Sequence, residues 1–175
     1  MTLKNKAKKE ALMLKRKRAE NIELVRKNLS SFLDSDCFEF MEPEQAQAVW
    51  IKIQSQELHC RNEALKDDAN TIDIKSDFAQ KMESLSKEVS AMENEEVYVF
   101  PCNWQNSGAL VIHLHSIFAN LNGFLFTFDD DVFVYNGKID NAICFIGDRY
   151  GDNLYTLEVL AHGSKWKDLI RIKRS

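Results

Sequence analysis

The hydrophobic period of this chain changes near residue 95, and that change limits the fold more than any other feature. Before it, Phe78, Met82, Leu85, Val89 and Met92 recur at helical spacing behind a capping Ser76. After it comes Val97-Tyr98-Val99-Phe100, a run of strand formers that stops at Pro101. Upstream, residues 2–33 read as one long helix. Its second half is amphipathic through Ile22, Val25, Leu29, Phe32 and Leu33. Asp34-Ser35-Asp36 breaks it. Pro43, in a favoured first-turn position with Glu44 behind it, opens a second helix through Ala46, Val49, Trp50 and Ile53. Leu58, Arg61 and Leu65 extend that helix to about Lys66, and residues 67–75 are a polar connection.

Downstream, Phe124–Phe128 and Val132–Tyr135 read as a hairpin around Asp129-Asp130-Asp131. Asn136-Gly137 marks the next turn. Ala142–Ile146 and Leu154–Leu160 follow, with Asp148–Asn153 between them. Residues 109–121 suit either a helix or a strand start, and their length favours a helix ending near Asn122-Gly123. Ser164 caps a short final helix to Ile170. The expectation is α+β: N-terminal helices, then a mainly antiparallel sheet with one inserted helix and a short C-terminal helix. Residues 1–94 form the helical region, with 1–20 as a solvated basic extension, and residues 95–175 the sheet region packed with it as one domain.

Charge is segregated as well. Residues 1–28 hold ten Lys/Arg and three Glu, residues 29–163 eight against twenty-three Asp/Glu, and residues 164–175 five against one. An acidic body therefore lies between two basic ends. Such a body steers cationic partners inward and repels nucleic acid. The basic ends either fold back on the body or contact nucleic acid themselves. No run approaches the roughly 20 apolar residues of a membrane span. The short Ala11–Leu14 run is followed by Lys15-Arg16-Lys17-Arg18, unlike a secretion signal. Cys37, Cys60, Cys102 and Cys144 are irregularly spaced and fit buried thiols of a reducing cytoplasm.

Tests for chemistry find little. There is no nucleophile elbow, and adjacent His59 and Cys60 point about 100° apart on a helix. His113-x-His115 would share one face of a strand but diverge on a helix, and no Cys or carboxylate lies close by in sequence. The Asp129–Asp131 run lacks the alternating ligands, Gly and Glu of a calcium loop. Asn106-Ser107-Gly108 has too few glycines to cradle phosphate. No metal, cofactor or small-molecule substrate is expected. The basic residues between Lys4 and Arg18 could follow phosphates, but no helix-turn-helix pattern or stacking platform accompanies them.

The remaining constellation joins acids to aromatics. Asp129, Asp130, Asp131 and Tyr135 fall on one expected hairpin, and Asp148, Tyr150 and Asp152 on the next turn. Tyr supplies contact area at low entropic cost, and carboxylates accept paired bonds from Arg. These seven residues are the candidate partner-binding set. The plain alternative is two ordinary polar turns.

The basic helical start, Val97-Tyr98-Val99-Phe100, the stretch from Gly108-Ala109-Leu110, and the C-terminal run from Glu158 to Trp166 together resemble immunity proteins of bacterial polymorphic-toxin systems, such as contact-dependent growth inhibition. The resemblance covers residues 95–170. It is one of layout, and no catalytic residue transfers with it. It implies a cytoplasmic, non-enzymatic protein that binds a cognate cationic toxin, a nuclease being the expected kind, and blocks its activity. The alternatives are a nucleic-acid-associated regulator using the basic N-terminal helix, and a small hydrolase with an unrecognised site.

Overall fold

The structure, a computed structural model, describes residues 3–56, 70–73, 78–128, 131–150 and 153–166. Helix α1 (Leu3–Leu29) opens the chain. After a 3-10 turn at Ser35–Cys37 come β1 (Phe38–Phe40) and α2 (Pro43–Ser55). Next are β2 (Asn70–Asp73), α3 (Phe78–Ser90) and β3 (Glu96–Pro101). Three short helices follow with a strand among them: α4 (Trp104–Ser107), β4 (Leu110–His113), α5 (Leu114–Ala119) and α6 (Leu121–Thr127). The chain then runs through β5 (Asp131–Asn136), β6 (Ala142–Tyr150) and β7 (Asn153–His162). The strands make one sheet in the order β1-β4-β3-β5-β6-β7-β2, and every pairing is antiparallel. The α+β expectation is met.

Both faces of the sheet are covered, by different amounts. On one face, Val97, Val99, Leu110, Ile112, Val132, Val134, Ile143 and Phe145 meet the buried stripes of α1, α3, α5 and α6. On the other, Phe100, Phe133, Tyr135, Cys144 and Leu160 meet Ala46, Val49 and Ile53 of α2. Trp50 extends that cover. Its ring lies 5.4 Å from Phe100 and 5.8 Å from Trp104. Strand side chains alternate between the faces, so β5, buried from Val132 to Asn136, feeds both cores.

Several expectations change. Phe124–Phe128 is helical. Leu121, Phe124, Leu125 and Phe128 are buried at i, i+3, i+4 and i+7, whereas Phe126 is 65% exposed. Asp131 therefore opens a strand that follows a helix and not a second strand, and Asp129 and Asp130 lie outside the described residues. Residues 110–113 form a strand because Leu110 and Ile112 bury on one face while β1 and β3 pair with both edges. Leu114, Ile117 and Phe118 keep the helical spacing in α5. The inserted helix is thus three short ones. Strands β1 and β2 were unforeseen. The expected extension of α2 to Lys66 and the Ser76 cap lie outside the described residues. Residues 164–166 form a turn, and the rest of the expected final helix is also outside. Cys144 is buried but Cys102 is exposed, contrary to the all-buried expectation.

The turn between β5 and β6 is locked to the end of β7. Asn136 Oδ1 accepts from the Asp140 and Asn141 backbone N–H groups, both at 3.0 Å. Asn141 Oδ1 accepts from the N–H groups of Lys165 at 2.9 Å and Trp166 at 3.3 Å, beside the fully buried Trp166 ring. The Asn136 amide, which donates to its carboxylate, holds Asp140 below the ordinary carboxylate range. Its stabilising contribution is therefore present above the unfolded carboxyl value and is lost as pH falls through the lower native one. Gly163 sits at φ +91, and a Cβ there would collide with Asn141 Oδ1 and the Asp140 carbonyl. Gly163→Ala should lower unfolding free energy by about 1–3 kcal/mol, read from the denaturant midpoint. An unchanged midpoint would show that the lock is not needed.

Candidate protein-binding face

The thinner cover on the α2 face leaves one end of the sheet open. β1 reads Phe-Glu-Phe. Phe38 is buried against the four-helix side, and alternation sends Glu39 to the opposite face. Glu39 pairs with Val111, and Val111 in turn pairs with Tyr98. Both Val111 and Tyr98 are half-buried, at the margin of the α2 core. One row further along, Glu96 pairs with His113, and both are exposed. With Asp36 and Cys37 from the 3-10 turn, Glu39, Glu96, Val111 and His113 line a shallow concavity of about 290 Å³. Three carboxylates, from three elements, thus line one hollow of mixed polar and apolar character.

The approach to Glu96 is fixed by hydrogen bonds. The Asn94 side-chain oxygen accepts from the His115 backbone N–H at 3.0 Å. His115 Nε2 lies 3.1 Å from the Met92 carbonyl, and the Leu114 N–H donates to the Glu95 carbonyl at 3.0 Å. The loop carrying Glu93, Glu95 and Glu96 is therefore tied to the start of α5. These bonds give His115 a structural role. His113 ends β4 and His115 begins α5, so the two do not act as a pair on one strand. Among the described residues, no group of three or more His, Cys, Asp or Glu is arranged to hold a metal ion.

The fold separates the set expected from sequence. Asp131 is half-buried at the start of β5, opposite Ile146, while Asp129 and Asp130 lie outside the described residues. Asp148 and Tyr150 fall on the last residues of β6, pairing with Thr156 and Asn153, and Asp152 lies outside. Asp131 and Asp148 are therefore at one end of the sheet, and Glu39 and Glu96 at the other. Tyr135 shares the cross-strand row of Tyr98, Val111 and Glu39 but lies on a central strand and does not reach the surface. It is fully buried under α2, its ring 6.1 Å from that of Phe100 and nearly perpendicular to it. Its assignment to a surface is corrected: a central strand covered on both faces has no exposed side. Asp36, Glu39 and Glu96 were missed. The Phe38-Glu39-Phe40 alternation was the available signal for an edge strand with an outward carboxylate.

Comparison with protein-family models gives no match, and comparison with curated proteins gives none either. The site's meaning therefore rests on its geometry. A carboxylate-bearing hollow of mixed polarity at a sheet edge suits Lys and Arg side chains, whose stems lie on apolar surface while their heads pair with acids. Tyr135→Ala should cost about 3–5 kcal/mol of stability, as loss of a large buried ring does. Thermal or denaturant unfolding reads it. A surface tyrosine would leave stability unchanged.

Proposed function

We propose that this protein is a binding protein that neutralises a cationic partner by covering it, as an immunity protein does for its cognate toxin. The observation that carries the reading is that Asp36, Glu39 and Glu96, from three separate elements, line one hollow at a hydrogen-bond-braced end of the sheet. Supporting it is the excess of twenty-three acids over eight basic residues between positions 29 and 163. An acidic field of this kind speeds encounter with a basic protein and opposes nucleic acid. A nuclease toxin fits because its own substrate is polyanionic, so its active-site surface must be basic. Carboxylates presented there take the place of phosphates. On this reading the protein acts in the cytoplasm, where such a toxin meets nucleic acid, and catalyses no reaction. None of the described helices is long and apolar enough to cross a membrane.

The test begins with co-purification of the partner from the protein's own cells, followed by binding measured for the wild type and for Glu39→Lys with Glu96→Lys. Loss of a desolvated charge pair costs several kcal/mol, so the double variant should bind at least about 100-fold more weakly. Raising salt should slow association of the wild type far more than it speeds dissociation. Unchanged affinity in the double variant, with both chains folded, would remove this face from the interface.

A further inference from the structure

The first half of α1 stands away from the body. Residues 5–17 are all exposed, among them Leu12 at 70%, Met13 at 63% and Leu14 at 67%. The second half is anchored. Val25 and Leu29 are buried, Arg26 lies 4.9 Å over the Phe40 ring, and Ile22 lies against Gly108. The arm is thus a helix rooted in the fold with nothing of its own chain, among the described residues, covering its outer turns.

Its charges act against an isolated helix. The first turn holds no acid, and Lys6, Lys8, Lys9, Lys15, Arg16 and Lys17 outnumber a single Glu10 across residues 5–17. Cations near a helix N-terminus oppose the macrodipole, and a free helix of this length is marginal in water. An acidic neighbour would reverse both penalties.

The apolar residues indicate what kind of acidic neighbour. Leu12, Met13 and Leu14 are consecutive, so they spread over about 200° of the helix circumference. A lipid surface takes a helix with one apolar side, and a phosphate backbone offers nothing for an apolar belt. A concave protein surface that is acidic with an apolar floor meets both needs. The end of the sheet presents the carboxylates of Glu39, Glu96 and Asp36 with half-buried Val111 and Tyr98 beside them. The arm's exposure shows that it does not lie on its own body.

We infer that the basic arm of one copy docks on the acidic sheet end of a second copy. Exchanged reciprocally, the two arms make a closed two-fold dimer and not an open chain. The inference does not need the toxin reading. If both hold, arm and toxin compete for one face.

Light scattering on the full chain tests it. At about 0.05 M salt the mass should be twice the 20.2 kDa of one copy, and at about 0.5 M it should fall to that of one copy. Lys8→Glu with Lys15→Glu and Lys17→Glu spares the Arg16–Glu20 pair and should be monomeric at low salt. Glu39→Lys with Glu96→Lys should be monomeric too. Mixed in equal amounts, the two variants should regain the double mass, because each altered arm then meets an altered body. A misfolded variant could not be rescued in this way. A monomeric wild type at low salt, a dimer that persists in the arm variant, or a mixture that stays monomeric would overturn the inference. So would a mass gain that nuclease treatment abolishes, which would assign the arm to nucleic acid. Toxin binding retained by the arm variant separates failure here from failure of the toxin reading.

Discussion

The structure depends on burying a wide sheet on both faces with unequal amounts of helix. Strands β3, β5 and β6 are apolar on both sides, so neither face can be left to water. Seven strands span roughly 30 Å, whereas one helix covers about 10 Å of that width. Four helices suffice for one face. The other has α2, widened by Trp50 and Trp104, and it falls short of β1 and β4. At that margin the outward residues turn polar: Glu39, Glu96 and His113 replace the Phe and Tyr of the covered rows. The candidate binding face follows from this shortfall.

The strongly periodic elements were legible from sequence. The α3 stripe, the Pro43 start of α2, and strands β3 and β5 fall where spacing and turn residues put them, whereas β6 runs on to Tyr150 and β7 starts at Asn153, so most of the turn expected at Asp148–Asn153 is strand. What was not legible depended on neighbours. Leu110–His113 is a strand because β1 and β3 supply its hydrogen bonds from either side. Phe38–Phe40 shows the alternation of a strand, but at three residues only its pairing with β4 makes it one. Residues 124–128 carry three Phe, which suit a strand by propensity. The helical stripe that starts at Leu121 prevails, because it buries Leu121, Phe124, Leu125 and Phe128 together and puts only Phe126 in water.

The candidate site was legible in character and not in place. Composition pointed to an acidic body, and the aromatic-acid clusters drew attention to residues 129–152. Tyr135 does not belong to a surface: β5 is a central strand, and its aromatics serve the core. Carboxylates become a surface only where cover ends, and where cover ends is set by tertiary packing. The same packing roots α1 through Leu29 and Gly108 and leaves its basic half outside. The opposed charges seen along the sequence are thereby held apart within one copy.

The most direct measurement of the central claim is carboxyl footprinting of the native chain, free and bound to the partner it captures in its own cell. Carbodiimide labelling followed by peptide mass analysis reports each acid separately. Asp36, Glu39 and Glu96 should label readily in the free chain and be protected in the complex. Asp148, at the opposite end of the sheet, should be unaffected. Protection of Asp148 with continued labelling of Glu39 and Glu96 would contradict that claim.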